Sequence, residues 1–308
     1  MKLRGIGIGL LALTTIFGLS FSVFATMTST NYEIQWDEIN AGGGEGSSSA
    51  SYQLRDSVSS AAATRSDGTN YDLDSGYRAG IYDRVADFEI FLQDRSSQVS
   101  ATIVTSTVVT VTSTSSFSTG QMIALVQSEG DGQIDATGKI LSINSGLSQI
   151  TVDAWNYGSG GMPSVDGNND YVYELDASSV SFGTISDLTV TTSIIAWEVS
   201  AEVSDGYSVY VYENQDLTNG IDTITDVSDG TVSAGSREYG AHSSDSSLAL
   251  STFDTQDSAF TTALQQIGSR SAVSFDSRDY LTVKTSIDGF ESDGLYSQTL
   301  TFIYVGDY

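Results

Sequence analysis

The chain has 308 residues, of which 39% are hydrophobic, and it carries 39 acidic against 12 basic side chains, a formal net charge of −27. The apolar content is sufficient for packed cores, whereas the charge excludes nucleic acid as a partner and favours divalent cations as counter-ions. With one histidine and no cysteine, disulfide bonds and Cys/His zinc sites are excluded as well.

Residues 1–25 have the pattern of a secretory signal peptide. A basic start precedes an apolar run from Ile6 to Phe24, and small residues, Val23 and Ala25, stand at the −3 and −1 positions. We therefore expect cleavage before Thr26 and a secreted protein of the extracellular space or the cell surface. The alternative is an uncleaved anchor, since about 20 apolar residues span a bilayer. Membrane contact is predicted only through this segment, and only if it remains uncleaved.

Residues 26–94 contain an internal repeat. Three copies of a Tyr-x-Ile/Leu pattern follow at nearly equal intervals, namely Tyr32-Glu33-Ile34, Tyr52-Gln53-Leu54 and Tyr71-Asp72-Leu73. The two apolar residues of a copy share one face of a strand, which predicts an extended β-repeat region with Gly/Ser-rich turns. A flexible low-complexity stalk is the alternative. Together with the Gly/Ser-rich run at 42–49, the pattern resembles repeats of exported bacterial cell-surface proteins, which implies location rather than activity.

Residues 95–177 are rich in short β-type runs and predict a small β-barrel module. The runs are Ala101–Thr105, Val108–Thr112, Gln121–Gln127, Gly138–Ile143, Gln149–Val152 and Tyr171–Leu175. The piece Phe117 to Ile123, followed by Lys139 to Ile143 and Ile150 to Val152, resembles small barrel modules of phage-tail and bacterial surface proteins. That resemblance implies a structural spacer with its own core.

Residues 178–308 predict an immunoglobulin-like β-sandwich. Its closing strand, Gly294 to Gly306, has one large apolar face and needs partners. We expect these among Gly206–Tyr212, Ile194–Val203 and Tyr280–Thr285. The chain as a whole is thus predicted to be all-β, with one exception. Phe260, Ala263, Leu264 and Ile267 recur at helical spacing, with acidic residues before them and Gly268 after them, which predicts one helix.

Two oxygen-rich loops are candidate calcium sites. Asp166, Asn168 and Asp170 alternate as the first ligands of a calcium loop do, although Tyr171 and Ala177 replace the glycine and glutamate of an EF-hand. The second set follows the run at 206–212 and consists of Glu213, Asp216, Asn219 and Asp222. Ordinary Asp/Asn/Gly turns are the alternative for both loops.

The sequence predicts no enzyme. The single histidine, His242, has no nucleophile-elbow motif to accompany it and is interpreted as a loop residue. The abundance of acids leaves a carboxylate pair for glycoside hydrolysis as an open alternative. Trp36, Trp155 and Trp197 could line a sugar-binding surface, but the alternation around Trp197 favours a core position.

These features predict a structural subunit of an extracellular bacterial assembly. The closing strand is similar to those of secreted filament and surface-layer subunits, which implies a homopolymer, either a pilus-like fibre or a surface layer. We expect copies to join by β-strand addition, with Thr28 to Trp36 donated to a neighbour, or else folded back on its own subunit. The alternative function is a calcium-dependent carbohydrate-binding or adhesion protein with surface glycans as partners.

Overall fold

The computed structural model describes residues 86–307 with their side chains and, before them, the backbone of six short strands. The chain divides into two units, Met1–Asp83 and Arg84–Tyr308. The first unit contains β1 (Met27–Thr28), β2 (Glu33–Ile34), β3 (Gly42–Ser49), β4 (Tyr52–Val58), β5 (Arg65–Asp67) and β6 (Asp72–Asp74). They form the antiparallel pairs β1–β2, β3–β4 and β5–β6, and each repeat copy contributes to the second strand of a pair.

The second unit begins with β7 (Ala86–Leu92) and a 3-10 turn at Arg95–Ser97, and a small barrel follows. Its strands are β8 (Val99–Val104), β9 (Val108–Val111), β10 (Met122–Gln127), β11 (Ile134–Asn144), β12 (Gln149–Val152), β13 (Asn156–Tyr157) and β14 (Tyr171–Glu174). The pairings run β10, β14, β8, β9, β12, β11 and back to β10, so six strands close a ring. The predicted barrel module is confirmed.

Strand β10 explains how the barrel is attached to the rest of the unit. Its run of consecutive apolar residues does not alternate with polar ones, which is typical of a strand buried on both faces. Ile123 and Leu125 point into the barrel core, whereas Met122, Ala124 and Val126 belong to a separate core outside the barrel. The outward face therefore packs against the next part of the chain.

That next part is a sandwich of two sheets. Its further strands are β15 (Thr191–Ala201), β16 (Tyr207–Glu213), β17 (Leu217–Thr218), β18 (Thr223–Asp226), β19 (Glu238–Ser243), β20 (Gln265–Arg270), β21 (Ser274–Ser286) and β22 (Leu300–Gly306). The larger sheet has the order β17-β18-β19-β21-β15-β7 and the smaller one β20-β16-β22. The predicted all-β sandwich is confirmed, with six and three strands where a constant-type immunoglobulin domain has four and three.

Strand β15 is also buried on both faces. Ile195, Trp197 and Val199 pack into the sandwich core between the sheets. Ile194 and Ala196 point the other way and meet the outward face of β10. Barrel and sandwich thus share a third core, which explains why β10 and β15 both lack alternation.

The predicted helix is wrong. Phe260 is fully buried, but Leu264 is 55% exposed, and Gln265–Arg270 is strand β20, which pairs with β16. Gly268 is no helix cap. A Cβ at this position would lie 2.9 Å from Cζ2 of Trp197, so the glycine admits the indole ring against the strand. Of the four apolar residues, Phe260 and Ile267 contact the sandwich core, whereas Ala263 and Leu264 are exposed.

The closing strand is shorter than predicted and lies in the smaller sheet. It begins at Leu300 and pairs with β16, as expected. The other two expected partners, β15 and β21, lie in the opposite sheet and meet it through side chains, as the ring contact between Trp197 and Phe302 shows. Its large apolar face packs on the sandwich core as predicted.

The sequence assigned residues 26–94 to the repeat region, but strand β7 within that range belongs to the sandwich. Residues 86–92 pair with β15 along seven positions, from Ile195–Leu92 to Ala201–Ala86. Strand β7 is therefore an edge strand of the larger sheet of the sandwich.

Candidate metal centre and the adjoining cleft

Asp166, Asn168 and Asp170 lie in the loop before β14, where the backbone of the loop uses their side chains. Asp170 is 2% exposed. Its Oδ1 accepts a hydrogen bond from the Ser128 N–H at 2.9 Å and its Oδ2 accepts one from the Asp166 N–H at 2.6 Å. The Asn168 N–H donates to Oδ1 of Asp166 at 2.9 Å and lowers the pKa of this exposed carboxyl. These are the bonds of an Asp/Asn/Gly turn.

Asn219 and Asp222 occupy the turn between β17 and β18. Oδ1 of Asn219 accepts from the N–H groups of Ile221 and Asp222, at 2.9 and 2.7 Å. The Asp222 carboxylate forms an ion pair with Arg237 and accepts from the Ser292 N–H at 3.0 Å. Both side chains hold this turn together, and Asp222 stands outside the carboxylate group described next.

Glu213, Asp216 and Asp226 come together at one end of the sandwich. Glu213 ends β16, Asp216 precedes β17, and Asp226 ends β18. One carboxylate oxygen from each residue lies within 4.8 Å of the oxygens of the other two. Because β16 belongs to the smaller sheet and β18 to the larger one, this carboxylate group bridges the two sheets.

The carboxylate group is poorly compensated. Glu213 is 3% exposed, and its Oε2 is buried without a hydrogen-bond partner in the described part of the chain, as is Oδ1 of Asp226. The ion pairs found among residues 86–307 include none of the three acids. Burial, with the charges of Asp226 and Asp216, raises the pKa of Glu213 to about 7, and burial with the charge of Asp216 raises the pKa of Asp226 to about 6. An oxygen-only group of this kind suits a hard divalent cation.

Sequence reasoning missed Asp226, although it found Glu213 and Asp216. Strands β17 and β18 form a short hairpin, in which Leu217 pairs with Ile224. In this register β18 runs back beside β17, which brings Asp226 close to Asp216. Recognising the hairpin from Leu217 to Ile224 would have supplied the missing signal.

A cleft of about 920 Å³ lies beside the carboxylate group, between the two sheets of the sandwich. Its apolar lining includes Ile90, Leu92, Ile195, Val283, Leu300 and Phe302. Two segments outside the strands, 178–185 and 291–299, border it, and Leu295 on the second segment is 87% exposed. The cleft therefore presents apolar surface to solvent.

The cleft lies where both sheets end. Strands β7 and β22 are edge strands, and Phe88 of one stacks on Tyr304 of the other at 6.1 Å. The Asp307 N–H donates to the Gly206 carbonyl and the Asn214 N–H to the Thr299 carbonyl, which fixes the alternation between β16 and β22. By that alternation, Leu300 and Phe302 direct their N–H and C=O groups away from β16. In the described part of the chain no strand pairs with that edge.

The tryptophans and the histidine that the sequence singled out lie, where the structure describes them, in a core or in a strand. Trp155 and Trp197 are 8% and 0% exposed and belong to the barrel core and the sandwich core, which confirms the core interpretation of Trp197. Trp36 lies outside the described residues. His242 lies in β19 opposite Thr282 rather than in a loop, so the loop interpretation is wrong.

Among the described residues, no helix has the length and apolar character that a membrane span requires. Comparison with protein-family models, with curated proteins and with solved structures found no match.

Proposed function

We propose that the chain is a non-enzymatic structural subunit of an extracellular bacterial assembly, in which copies join by β-strand addition. The observation that carries the proposal is the apolar cleft beside the β22 edge at Leu300 and Phe302, with which no strand of the described residues pairs. An added strand would satisfy the outward N–H and C=O groups of Leu300 and Phe302 and would cover the apolar lining. Both gains favour the same occupant, an extended segment with one apolar face.

The proposed donor is the segment from Thr28 to Trp36 of a neighbouring copy. Tyr32, Ile34 and Trp36 alternate, so one face of this segment as a strand carries three large side chains. The backbone pairing of Met27–Thr28 with Glu33–Ile34 involves two residue pairs and must open for donation. A two-stranded ribbon of this length has little independent stability, so its loss opposes donation weakly.

The test compares the mature chain, beginning at Thr26, with a variant that lacks residues 26–37. Light scattering and electron microscopy should show polymers of the mature chain and folded monomers of the variant. A synthetic peptide of residues 26–37 should raise the melting temperature of the variant, whereas a peptide with Ile34→Asp should leave it unchanged, since the aspartate would be buried in the cleft. A variant that polymerises like the mature chain, or that melts identically with and without the peptide, contradicts strand donation.

The second candidate function is a calcium-dependent carbohydrate-binding or adhesion protein. Its support is the carboxylate group of Glu213, Asp216 and Asp226, which could order a surface that binds glycans. A glycan array probed with and without chelator separates the two functions. Calcium-dependent binding by a monomer favours adhesion, and polymers that bind no glycan favour the structural subunit.

A further inference from the structure

Glu213 is the buried member of the carboxylate group, in which Asp226 is half-buried and Asp216 is exposed, and it differs from buried acids such as Asp279 and Glu198. Asp279 is buried, but Arg270 lies 2.8 Å from its carboxylate. Glu198 is 10% exposed in its side chain and has Arg278 at 2.6 Å. Glu213 is buried as deeply, and among residues 86–307 it has neither a basic partner nor a hydrogen bond to Oε2. A buried charge is normally paired or bound to a metal, so this group lacks a positive component.

We propose that Glu213, Asp216 and Asp226 hold a calcium ion. All the ligand atoms are oxygens, which excludes the softer metals that thiolates and imidazoles select. Calcium takes six to eight oxygens at about 2.3–2.6 Å, so oxygens on opposite sides of one ion are up to about 5 Å apart. The separations within 4.8 Å fit this distance. Backbone carbonyls and water complete the coordination.

The assignment changes the ligand set that the sequence indicated. Glu213 and Asp216 remain, Asp226 enters, and Asn219 and Asp222 serve the neighbouring turn instead. Two of the ligands come from different sheets, Glu213 from the smaller and Asp226 from the larger, and Asp216 lies in the loop before β17. The ion is therefore a cross-link between the sheets rather than the filling of one loop.

This cross-link is placed at one end of the cleft. Leu217 and Ile224, which line the cleft, are neighbours of Asp216 and Asp226 along the hairpin. Tyr239 pairs with Asp226 in the sheet, and its hydroxyl accepts a hydrogen bond from Nε2 of Gln298 at 2.8 Å across the cleft lining. Bound calcium thus fixes the spacing of the sheets where the cleft begins. An effect of calcium on strand addition at the cleft rests on the proposed function, whereas the calcium site itself does not.

The binding test uses the mature chain, freed of metal by chelator, and measures thermal melts with calcium, with magnesium and without either. A ligand that binds only the folded state raises its stability, so calcium should raise the melting temperature by several degrees. Glu213→Gln and Asp226→Asn should each abolish most of that rise. Glu213→Gln should also melt higher than the wild type without metal, because a buried repulsive charge is removed. Asp205→Asn, at an exposed acid elsewhere in the sandwich, is the matched control and should keep the full rise.

Superimposable wild-type melts with calcium and with chelator would overturn the site, as would a Glu213→Gln or Asp226→Asn variant that retains the full rise. An equal rise with magnesium would overturn the assignment to calcium. Light scattering of the same samples separates this inference from the proposed function. A calcium-dependent melt in a chain that never polymerises leaves the site intact and removes its role in assembly.

Discussion

At position 268, the packing of Trp197 leaves no room for a side chain larger than that of glycine. Trp197 is fully buried at the centre of the sandwich core, and its ring lies against the backbone of β20. Real Cβ atoms do not approach a neighbour to 2.9 Å, so an added methyl must displace the indole or the strand. The sequence pattern suggested a helix cap for Gly268 because a glycine after apolar residues at helical spacing has that meaning most often.

Gly268→Ala should therefore destabilise the second unit. Overpacking a dense core costs about 1–3 kcal/mol, and the surrounding sandwich leaves the indole no free direction. Urea denaturation followed by tryptophan fluorescence measures the loss. Gly146→Ala is the control, since an added Cβ there meets no atom closer than 3.6 Å, and it should be close to neutral. Equal midpoints for the two variants would contradict the proposed role of Gly268.

At the scale of elements, strands were predictable where local pattern determines them. The barrel runs contain β-branched and apolar residues between turn residues, and all six correspond to strands of the closed ring. The partners of a strand depend on residues far along the chain, which local pattern does not contain. Local pattern correctly indicates β16 as a partner of β22. It also indicates β15 and β21, which lie in the other sheet. Asp226 was missed for a different reason, because the short hairpin that brings it to Asp216 is local but was not recognised in the sequence.

Strand β7 provides the prediction at this scale. A fragment of residues 84–308 should be more stable than a fragment of residues 95–308, which matches the boundary that the sequence indicated. The shorter fragment loses seven residue pairs with β15 and the contacts of Phe88 and Leu92 with the core. Burying one such side chain contributes about 1.5–3 kcal/mol, so the loss is on the order of 3 kcal/mol for two partly buried ones.

Chemical denaturation of the two fragments checks this expectation. Exposure of the β15 edge should also make the shorter fragment prone to self-association, which light scattering detects. Two fragments with the same unfolding free energy would show that β7 adds nothing to the sandwich.

At the scale of the whole second unit, polar bonds accompany the core shared by barrel and sandwich. Asp135 of the barrel is 6% exposed, and Thr282 of the sandwich donates to its Oδ2 at 2.5 Å. Gln133 donates to the Oδ1 of the same carboxylate at 2.7 Å, and the hydroxyl of Tyr280 donates to the Asp135 carbonyl at 2.5 Å. Arg278 adds an ion pair with Asp153 at 2.7 Å. The bonds from Thr282 and Tyr280 and the ion pair of Arg278 cross the junction, so we expect barrel and sandwich to unfold together.

Asp135 makes this junction sensitive to pH. Burial raises its pKa from 3.8 to about 6, and the charge of Glu129 acts in the same direction. The hydrogen bonds from Thr282 and Gln133 and the charge of Lys284 oppose this rise. The folded state therefore binds this proton more tightly than the unfolded state does. Stability from this group is complete below about pH 4, falls as the pH rises towards 6, and is level above that value.

Asp135→Asn should remove this dependence, because the asparagine oxygen can accept from Gln133 and its amide N–H can donate to the Thr282 hydroxyl, which then accepts, with no charge to bury. A shift from 3.8 to about 6 corresponds to about 3 kcal/mol, so above pH 7 the variant should be more stable than the wild type by up to that amount. Urea denaturation from pH 4 to pH 8 measures the two curves, which should converge at the acid end. Asp131→Asn, at an exposed acid of the barrel, should follow the wild-type curve. If Asp135→Asn also follows it, the junction carboxylate is not the group that titrates.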